Sequence, residues 1–304
     1  MVNLAVNIGK LRLKNPVMVA SGTFGVEYDE LVDINSLGAI VTKTVTVKGR
    51  IGNPPPRIVE TSSGMLNSIG LENKGLEDFI NNKIPLLTKI DTSVIVSIAG
   101  ENENEFKKLA MRLSRISRVD GIELNLSCPN IKYGLQGGLL AQDEKATYRV
   151  VKAVRSATRL TVIAKLSPNV TDIIKIARSA EAAGADAISL VNTFIGMAVD
   201  IEEKRPKLGN ITGGLSGPAI KPIALRMVWE AHKELDIPII GIGGIMDYKD
   251  ALEFMLCGAT AIQVGTANFV NPKASTEIVE GIKKYLKNNK IEDINKLIGK
   301  LKLG

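Results

Sequence analysis

The chain has 304 residues, of which 45% are hydrophobic and 4% aromatic, and its net charge is +7 at pH 7. This length suits one α/β barrel, and because no linker or low-complexity stretch divides the chain, we expect residues 1–304 to form a single domain. Few aromatic residues are present to stack on bases, and no run of eighteen apolar residues occurs, so we expect neither nucleic-acid binding nor a membrane span.

The first sixteen residues lack the apolar run of a signal peptide, which predicts a cytoplasmic protein.

Short apolar runs alternate with helix-like segments along the chain. Eight runs rich in Val, Ile and Leu are predicted as strands buried on both faces, at residues 17–20, 39–43, 94–98, 121–126, 161–166, 187–191, 239–242 and 261–264. Helical patterns at residues 103–118, 142–158, 171–183, 218–235 and 247–257 separate strands. This alternation predicts an α/β fold, a closed (β/α)8 TIM barrel, with an open doubly wound sheet as the alternative.

Four segments exceed what a minimal barrel needs. Residues 4–13 predict an N-terminal hairpin that plugs the bottom of the barrel. Residues 44–75 and 193–217 are predicted as long loops after strands 2 and 6, and residues 129–142 as a glycine-rich lid after strand 4. Because long loops at the carboxyl ends of barrel strands often build sites, these insertions indicate where the function lies.

Glycine-containing pairs follow the last two predicted strands. Gly243-Gly244 and Gly265-Thr266 let backbone N–H groups approach a ligand closely, and barrels often bind phosphate there beside a helix N-terminus. The run from Gly213 to Gly217 is interpreted as a third supply of flexible N–H donors. Since neither a G-x-G-x-x-G fingerprint nor a Walker A motif is present, a mononucleotide or sugar phosphate is predicted. The alternative is that the glycines serve only the turns.

Two lysines end predicted barrel strands, Lys43 on the second and Lys165 on the fifth. A lysine inside a barrel is costly unless it pairs with an anion. The alternative is that both ammonium groups reach solvent. Lys165 would suit an electron-rich ring such as a reduced, negatively charged flavin, and Lys43 would suit a substrate carboxylate.

The chain contains two cysteines, Cys128 and Cys257, and one histidine, His232. The cysteines lack metal-site or redox-pair spacing, so no metal is expected. Cys257 lies in an apolar helical segment, which is typical of a buried cysteine. Cys128 follows the fourth strand among polar residues and a proline, which favours a catalytic thiol. Because His232 is predicted on a solvated helix face, Cys128 is the candidate general base.

Several motifs occur together and in a fixed order. They are Ala20-Ser21-Gly22-Thr23-Phe24-Gly25, Thr42-Lys43-Thr44, Gly52-Asn53-Pro54-Pro55-Pro56-Arg57, Asn67-Ser68-Ile69-Gly70-Leu71, Asn125-Leu126-Ser127-Cys128-Pro129-Asn130, Val191-Asn192-Thr193 and Gly213-Gly214-Leu215-Ser216-Gly217-Pro218. Through them nearly the whole chain resembles the class 1 dihydroorotate dehydrogenase family, most closely its 1B subclass. One departure is Ser97, where the family usually has asparagine. Serine keeps a hydroxyl group that can form hydrogen bonds but lacks the amide group and its reach.

The resemblance implies an oxidoreductase that converts (S)-dihydroorotate to orotate in pyrimidine (UMP) biosynthesis, using one FMN per chain. The residues implied to hold FMN are Ser21, Lys43, Thr44, Asn125, Lys165, Val191, Gly217, Gly243, Gly244, Gly265 and Thr266. Those implied to hold dihydroorotate are Lys43, Asn67, Ser68, Ile69, Gly70, Leu71, Asn125, Asn192 and Thr193. Cys128 would be the catalytic base, and Lys165 would stabilise the reduced flavin.

The 1B subclass also implies partners. Electrons would pass to NAD through a second subunit carrying FAD and a 2Fe–2S cluster, with a homodimer of this chain as the core of a heterotetramer. The alternatives left open are another FMN barrel, either fumarate-linked or of the dihydropyrimidine or dihydrouridine type, and a flavin-free phosphate-binding barrel.

Overall fold

Eight parallel strands close into a barrel in the computed structural model, which describes residues 2–26, 30–126, 132–133 and 138–304. In chain order the described strands are β1 Val6–Ile8, β2 Leu11–Leu13, β3 Val17–Val19, β4 Ala39–Val41, β5 Lys48–Arg50, β6 Ile58–Thr61, β7 Gly64–Asn67, β8 Asn73–Gly75, β9 Ser93–Ile98, β10 Gly121–Asn125, β11 Lys132–Tyr133, β12 Gly138–Leu139, β13 Thr161–Lys165, β14 Ala187–Leu190, β15 Phe194–Met197, β16 Val199–Asp200, β17 Arg205–Pro206, β18 Thr212–Ser216, β19 Ile239–Ile242 and β20 Ala259–Val264.

Helices connect the barrel strands on the outside. They are α1 Leu76–Asp78, α2 Ile84–Leu87, α3 Glu103–Leu113, α4 Glu144–Ala157, α5 Ile173–Ala182, α6 Lys221–Glu234, α7 Tyr248–Leu256, α8 Ala267–Val270 and α9 Ala274–Asn288, with a π-helical turn, Phe79–Lys83, between α1 and α2. Single 3-10 turns occur at Ile34–Ser36, Leu140–Gln142, Pro218–Ile220 and Ile294–Leu297. Within the described ranges, no helix has the length and the apolar character that crossing a bilayer would require.

The barrel consists of the eight strands that the apolar runs predict. Their order around it is β3, β4, β9, β10, β13, β14, β19 and β20, which is their order along the chain, and β20 pairs with β3 to close the ring. Every residue of β3, β4, β10, β13, β14 and β19 is buried, because the interior side chains fill one face and the helices cover the other. The predicted (β/α)8 fold is therefore confirmed, and the doubly wound sheet is excluded.

The N-terminal hairpin β1–β2 lies at the amino ends of the barrel strands, as predicted. Gly9 in its turn packs against Asp186, the residue before β14: a Cβ atom at Gly9 would stand 2.6 Å from the Asp186 Cβ. On the second strand, Leu11 reaches the first residue of β10, because a Cβ atom at Gly121 would lie 3.7 Å from its Cδ2. The hairpin therefore covers the bottom of the barrel and leaves the carboxyl ends of the strands as the open face.

The insertions after barrel strands 2 and 6 are not the long loops that the sequence predicts. Together they form one antiparallel sheet in the order β15-β18-β7-β6, in which Gly214 pairs with Asn67 and Leu215 pairs with Leu66. We call this sheet the roof. The central strand β18 contains two glycines, a residue type that is depleted in strands, and this hides the strand from a sequence pattern. Each insertion thus supplies strands that the other one needs.

A clamp of charged and backbone groups ties β9 to β10 at the bottom of the barrel. Asp120 precedes β10, and its Oδ2 accepts hydrogen bonds from the Val94 N–H at 2.8 Å and from Arg118 Nη1 at 2.9 Å. Arg118 Nη2 also donates to the carbonyl oxygen of Thr92. The carboxylate therefore satisfies a strand-end N–H while its charge is balanced by the arginine.

The same clamp recurs between β13 and β14. Asp186 Oδ2 accepts from the Val162 N–H at 2.8 Å and from Arg155 Nη1 at 2.6 Å. Arg155 Nη2 donates to the carbonyl oxygens of Thr158 and Leu160. Both charged side chains keep less than a quarter of their surface exposed, so solvent competes little for these bonds.

We expect Asp186→Ala to lower the free energy of unfolding by about 2–3 kcal/mol, because it removes the acceptor of Arg155 Nη1 and of the Val162 N–H together with the charge that balances Arg155. Chemical denaturation monitored by circular dichroism measures this loss. The control is Glu230→Gln, which breaks the exposed pair between Arg226 and Glu230 and should cost less than about 0.5 kcal/mol. Equal stability of the two variants would show that the clamp contributes nothing.

Candidate functional site

A cavity of about 630 Å³ opens at the carboxyl ends of the barrel strands, within the range typical of small-molecule sites. Every barrel strand except β9 contributes lining residues from its end or from the loop after it. The roof covers one side of the cavity. The structure brings to its wall every described residue that the sequence analysis assigns to a site: Ser21, Lys43, Thr44, Asn67, Ser68, Ile69, Gly70, Leu71, Asn125, Lys165, Val191, Asn192, Thr193, Gly217, Gly243, Gly244, Gly265 and Thr266.

Cys128, the predicted base, lies outside the described residues, as does half of the segment predicted as a lid, of which residues 132–133 and 138–142 are described. The preceding residues lead toward the cavity, because Asn125 at the end of β10 lines it. Cys257 is buried after α7, as predicted, and burial together with the nearby Glu253 carboxylate raises the pKa of its thiol.

The turns after β19 and β20 form a cradle of backbone donors. Among the residues that the structure describes, the N–H groups of Gly243, Gly244, Gly265 and Thr266 donate to no backbone or side-chain acceptor. Gly244 has φ +73°, and a Cβ atom there would lie 2.8 Å from the carbonyl oxygen of Gly217, so the turn excludes side chains. Neighbouring free N–H groups of this kind suit a phosphate. The two turns thus offer backbone donors at the position where the sequence predicts a phosphate site.

The glycines of β18 have a different role from the predicted one. Gly213 and Gly214 pair with β15 and β7 as part of the roof, so they are not a flexible source of N–H donors. A Cβ atom at Gly214 would lie 2.0 Å from Thr193 Oγ1, and one at Gly213 would lie 2.7 Å from the carbonyl oxygen of Asn67. Only glycine permits the roof to pack this closely against both residues.

Lys165 lies at the floor of the cavity with only 6% of its side chain exposed. Its Nζ is 3.6 Å from Oε1 of Glu123, a residue of β10 whose side chain is completely inaccessible to solvent. The prediction that Lys165 points into the barrel mouth agrees with this position. The sequence analysis missed Glu123, although a glutamate inside the otherwise apolar run Gly121-Ile122-Glu123-Leu124 is a signal that could have found it.

Lys43 lies at the rim, just beyond β4. Its ammonium group passes over Gly22, where a Cβ atom would stand 3.3 Å from Nζ. Although part of the side chain remains accessible, desolvation among the rim residues lowers the pKa of Lys43, and the carboxylate of Glu72 partly opposes this shift. Glu72 is itself held by Arg57 Nη1 at 2.7 Å. The rim thus presents a cation to a ligand that enters the cavity.

A chain of polar side chains joins the carboxyl-terminal parts of four barrel strands, β4, β9, β10 and β14. Thr44 Oγ1 lies 2.9 Å from Ser97 Oγ and accepts from Asn125 Nδ2 at 3.3 Å. Asn192 Nδ2 donates to Asn125 Oδ1 at 3.5 Å. Ser97 is fully buried and does not line the cavity, so it supports Thr44 from behind.

Asn169 is a lining residue that the sequence analysis did not identify. Its Nδ2 donates to the carbonyl oxygen of Thr193 at 2.9 Å, and its Oδ1 accepts from the Ile195 N–H at 2.9 Å. It therefore fastens the loop after β13 to the roof strand β15. Because this role depends on the roof, no local pattern in the sequence could have revealed it.

Comparison with known proteins gives consistent findings. The family model described as dihydroorotate dehydrogenase matches residues 3–286. The protein named dihydroorotate dehydrogenase B (NAD(+)), catalytic subunit, of Thermoanaerobacter sp. (strain X514) is 54% identical over 304 residues, covering 99% of this chain and 100% of that protein. The protein of the same name from Trichlorobacter lovleyi is 54% identical over 300 residues and covers 98% of each chain.

A solved structure shows the same fold. The crystal structure of DHODH in complex with ferulenol from Eimeria tenella aligns with a TM-score of 0.80, covering 98% of this chain and 88% of that one at 24% identity. At this identity the likeness concerns the barrel and its insertions alone.

We expect Lys43→Met to weaken the binding of a cyclic carboxylate such as orotate by about 10- to 100-fold, the range for losing a hydrogen bond to a charged group. Because the pKa of Lys43 is lowered, the native affinity should begin to fall, as pH rises, at a lower pH than an ordinary lysine would give. Isothermal titration calorimetry across a pH series measures both effects. The matched control is Lys74→Met, at an exposed lysine of the same insertion, and an affinity loss as large there would contradict the assignment.

Proposed function

Because this chain belongs to the dihydroorotate dehydrogenase family, we infer that it is an NAD-linked catalytic subunit that oxidises dihydroorotate to orotate in pyrimidine biosynthesis. The observation that carries this function is the joint lining of one cavity by a phosphate-type N–H cradle, a buried lysine and a rim lysine. The names of its relatives favour NAD over fumarate as the terminal acceptor.

We propose that the cavity holds one FMN, which supplies the two-electron acceptor when bound. The cradle at Gly243, Gly244, Gly265 and Thr266 fits its phosphate, because those N–H groups have no protein acceptor among the described residues. The Lys165 ammonium fits a ring that gains negative charge on reduction. The other proposed FMN contacts lie on the same wall, and they are Ser21, Lys43, Thr44, Asn125, Val191 and Gly217.

Dihydroorotate would occupy the space between the barrel mouth and the roof. Lys43 would hold its carboxylate, because it is the cation at the rim. Asn125 and Asn192, which are joined through their amides, would supply hydrogen bonds to its ring. Asn67 and residues 68–71 would cover it from the roof, together with Thr193. The amide NH2 groups would donate hydrogen bonds to the carbonyl oxygens of a pyrimidine ring, and the amide oxygens would accept hydrogen bonds from its N–H groups.

The proposed base is the Sγ atom of Cys128, which would remove a proton from the ring CH2 next to the carbon that bears the carboxylate. Its support is its position in the chain, three residues after Asn125, which lines the cavity. The single histidine, His232, belongs to α6, and its side chain packs against Gly258 and Gly299 away from the lining residues. Cys128 is therefore preferred as the base.

A partner subunit is required to complete the NAD-linked reaction, since the relatives are named as catalytic subunits. We propose that the partner carries FAD and a 2Fe–2S cluster. This chain has only two cysteines, fewer than the four ligands that such a cluster usually takes. We further propose a homodimeric core within a heterotetramer that acts in the cytoplasm.

Anaerobic mixing with dihydroorotate tests the function directly. We expect the purified protein to show flavin absorption bands that bleach when dihydroorotate is added and return when an oxidant is supplied, with orotate as the product. Dihydrouracil, which lacks the carboxylate, is the control and should leave the bands unchanged, because it offers no anion to Lys43. A colourless protein, or bleaching by dihydrouracil alone, would refute the proposal.

We expect Cys128→Ala to retain FMN and orotate but to slow flavin reduction about 10²-fold or more, the range for losing a general base. In the native protein, reduction should speed up with rising pH until the thiol has ionised, because ordinary thiols titrate near ~8.5. Stopped-flow spectroscopy measures both rates. Cys257→Ala is the matched control, since that thiol is buried after α7. Rapid reduction of the Cys128 variant would remove this residue from the mechanism.

A further inference from the structure

A buried carboxylate lies beneath the lysine at the floor of the cavity. Glu123, in the middle of β10, is completely inaccessible, and its neighbours inside the barrel come from three other strands: Lys165 of β13, Ser189 of β14 and Gln263 of β20. Ser189 and Gln263 are also fully buried. The four side chains therefore form one polar cluster inside the barrel.

The two carboxylate oxygens of Glu123 have different partners. Oε2 accepts from Gln263 Nε2 at 2.6 Å and from Ser189 Oγ at 3.2 Å. Oε1 accepts no hydrogen bond from any described residue and stands 3.6 Å from Lys165 Nζ. Two neutral donors thus orient the carboxylate through one oxygen, which leaves the other oxygen turned toward the ammonium group.

This asymmetry is hard to explain by packing alone. A buried carboxylate is costly unless its charge is paired, and the hydrogen bonds of Gln263 and Ser189 would be met as well by a neutral amide. Among the described residues of the cluster, Lys165 is the one cation within reach of Glu123. The negative charge of Glu123 therefore acts on the Lys165 ammonium. Lys165 is also the member of the cluster that lines the cavity.

We propose that Glu123 is a positioning residue that holds the Lys165 ammonium at the cavity floor and offsets part of its charge, thereby setting how strongly the site favours reduced over oxidised flavin. The inference rests on the proposed function, because it places the flavin beside Lys165. An ammonium shared with Glu123 attracts a negatively charged ring less than an uncompensated one does. The pair would therefore keep the reduced flavin from being stabilised so strongly that it retains its electrons.

Glu123→Gln tests this at nearly constant shape. The donors of Gln263 and Ser189 require an acceptor, so the new amide oxygen should take the place of Oε2 and turn its NH2 group toward Lys165. The charge on the floor of the site would then be uncompensated. We expect the ratio of affinities for reduced and oxidised FMN to rise about tenfold, which raises the reduction potential by about 30 mV for a two-electron couple.

Spectroelectrochemical titration should compare four full-length proteins: native, Glu123→Gln, Lys165→Met and the double variant. If Glu123 acts through Lys165, its substitution shifts the potential in the native background and leaves it unchanged in the Lys165→Met background. Glu60→Gln, which removes the same charge from an exposed position on the roof strand β6, should leave the potential at its native value. An unshifted potential in Glu123→Gln, or equal shifts in both backgrounds, would overturn the proposal.

Thermal unfolding of the same proteins after removal of FMN gives a readout that needs no flavin. Glu123→Gln should lower Tm by at least about 5 °C, because it leaves the buried Lys165 ammonium without its negatively charged partner. The double variant should recover most of that loss. Additive losses would refute the pairing. A native protein that binds no flavin would overturn the proposed function. The unfolding temperatures of the four proteins would still measure the interaction between Glu123 and Lys165.

Discussion

The parallel ladder between β20 and β3 is the constraint on which the rest of the molecule depends. It pairs Ile262 with Val17 and Val264 with Val19, and it continues into a bond from the Ala20 N–H to the Val264 carbonyl oxygen at 2.8 Å. This contact joins the two ends of the barrel sequence and sets the loop containing Ser21 beside the turn at Gly265. Without closure, the cavity would be an open groove, and the N–H groups at Gly265 and Thr266 would no longer lie beside the loop that contains Ser21.

The two lysines of the site lie at different depths in the closed barrel. Lys43, at the rim, has its pKa lowered by desolvation, and the carboxylate of Glu72 partly opposes this shift. Lys165, at the floor, faces a carboxylate that the barrel interior holds rigidly. The two lysines thus differ both in their exposure and in the carboxylate that lies near each of them, Glu72 at the rim and Glu123 at the floor.

Most of this arrangement could be predicted from the sequence, because strands buried on both faces leave strong apolar runs and their carboxyl ends must converge. The roof could not, since β18 contains two glycines and one of its two partner strands, β7, lies far away in the chain. Glu123 was hidden inside an apolar run, and the contact of Asn169 with the roof strand β15 joins segments that are separate in the sequence. The role of Cys128 stays a prediction, because it lies outside the described residues.

The shared construction of the roof has a consequence for how this enzyme can change. Neither insertion completes the cover by itself: the pairing of Asn67 with Gly214 joins segments separated by almost half the chain. Such long-range pairs are entropically expensive to form before the segments between them are ordered, so the roof should assemble after the barrel. Lengthening one insertion without adjusting the other would shift the register of the shared sheet and move the side chains above the substrate. A change in the length of either roof insertion therefore requires a matching change in a distant stretch of sequence.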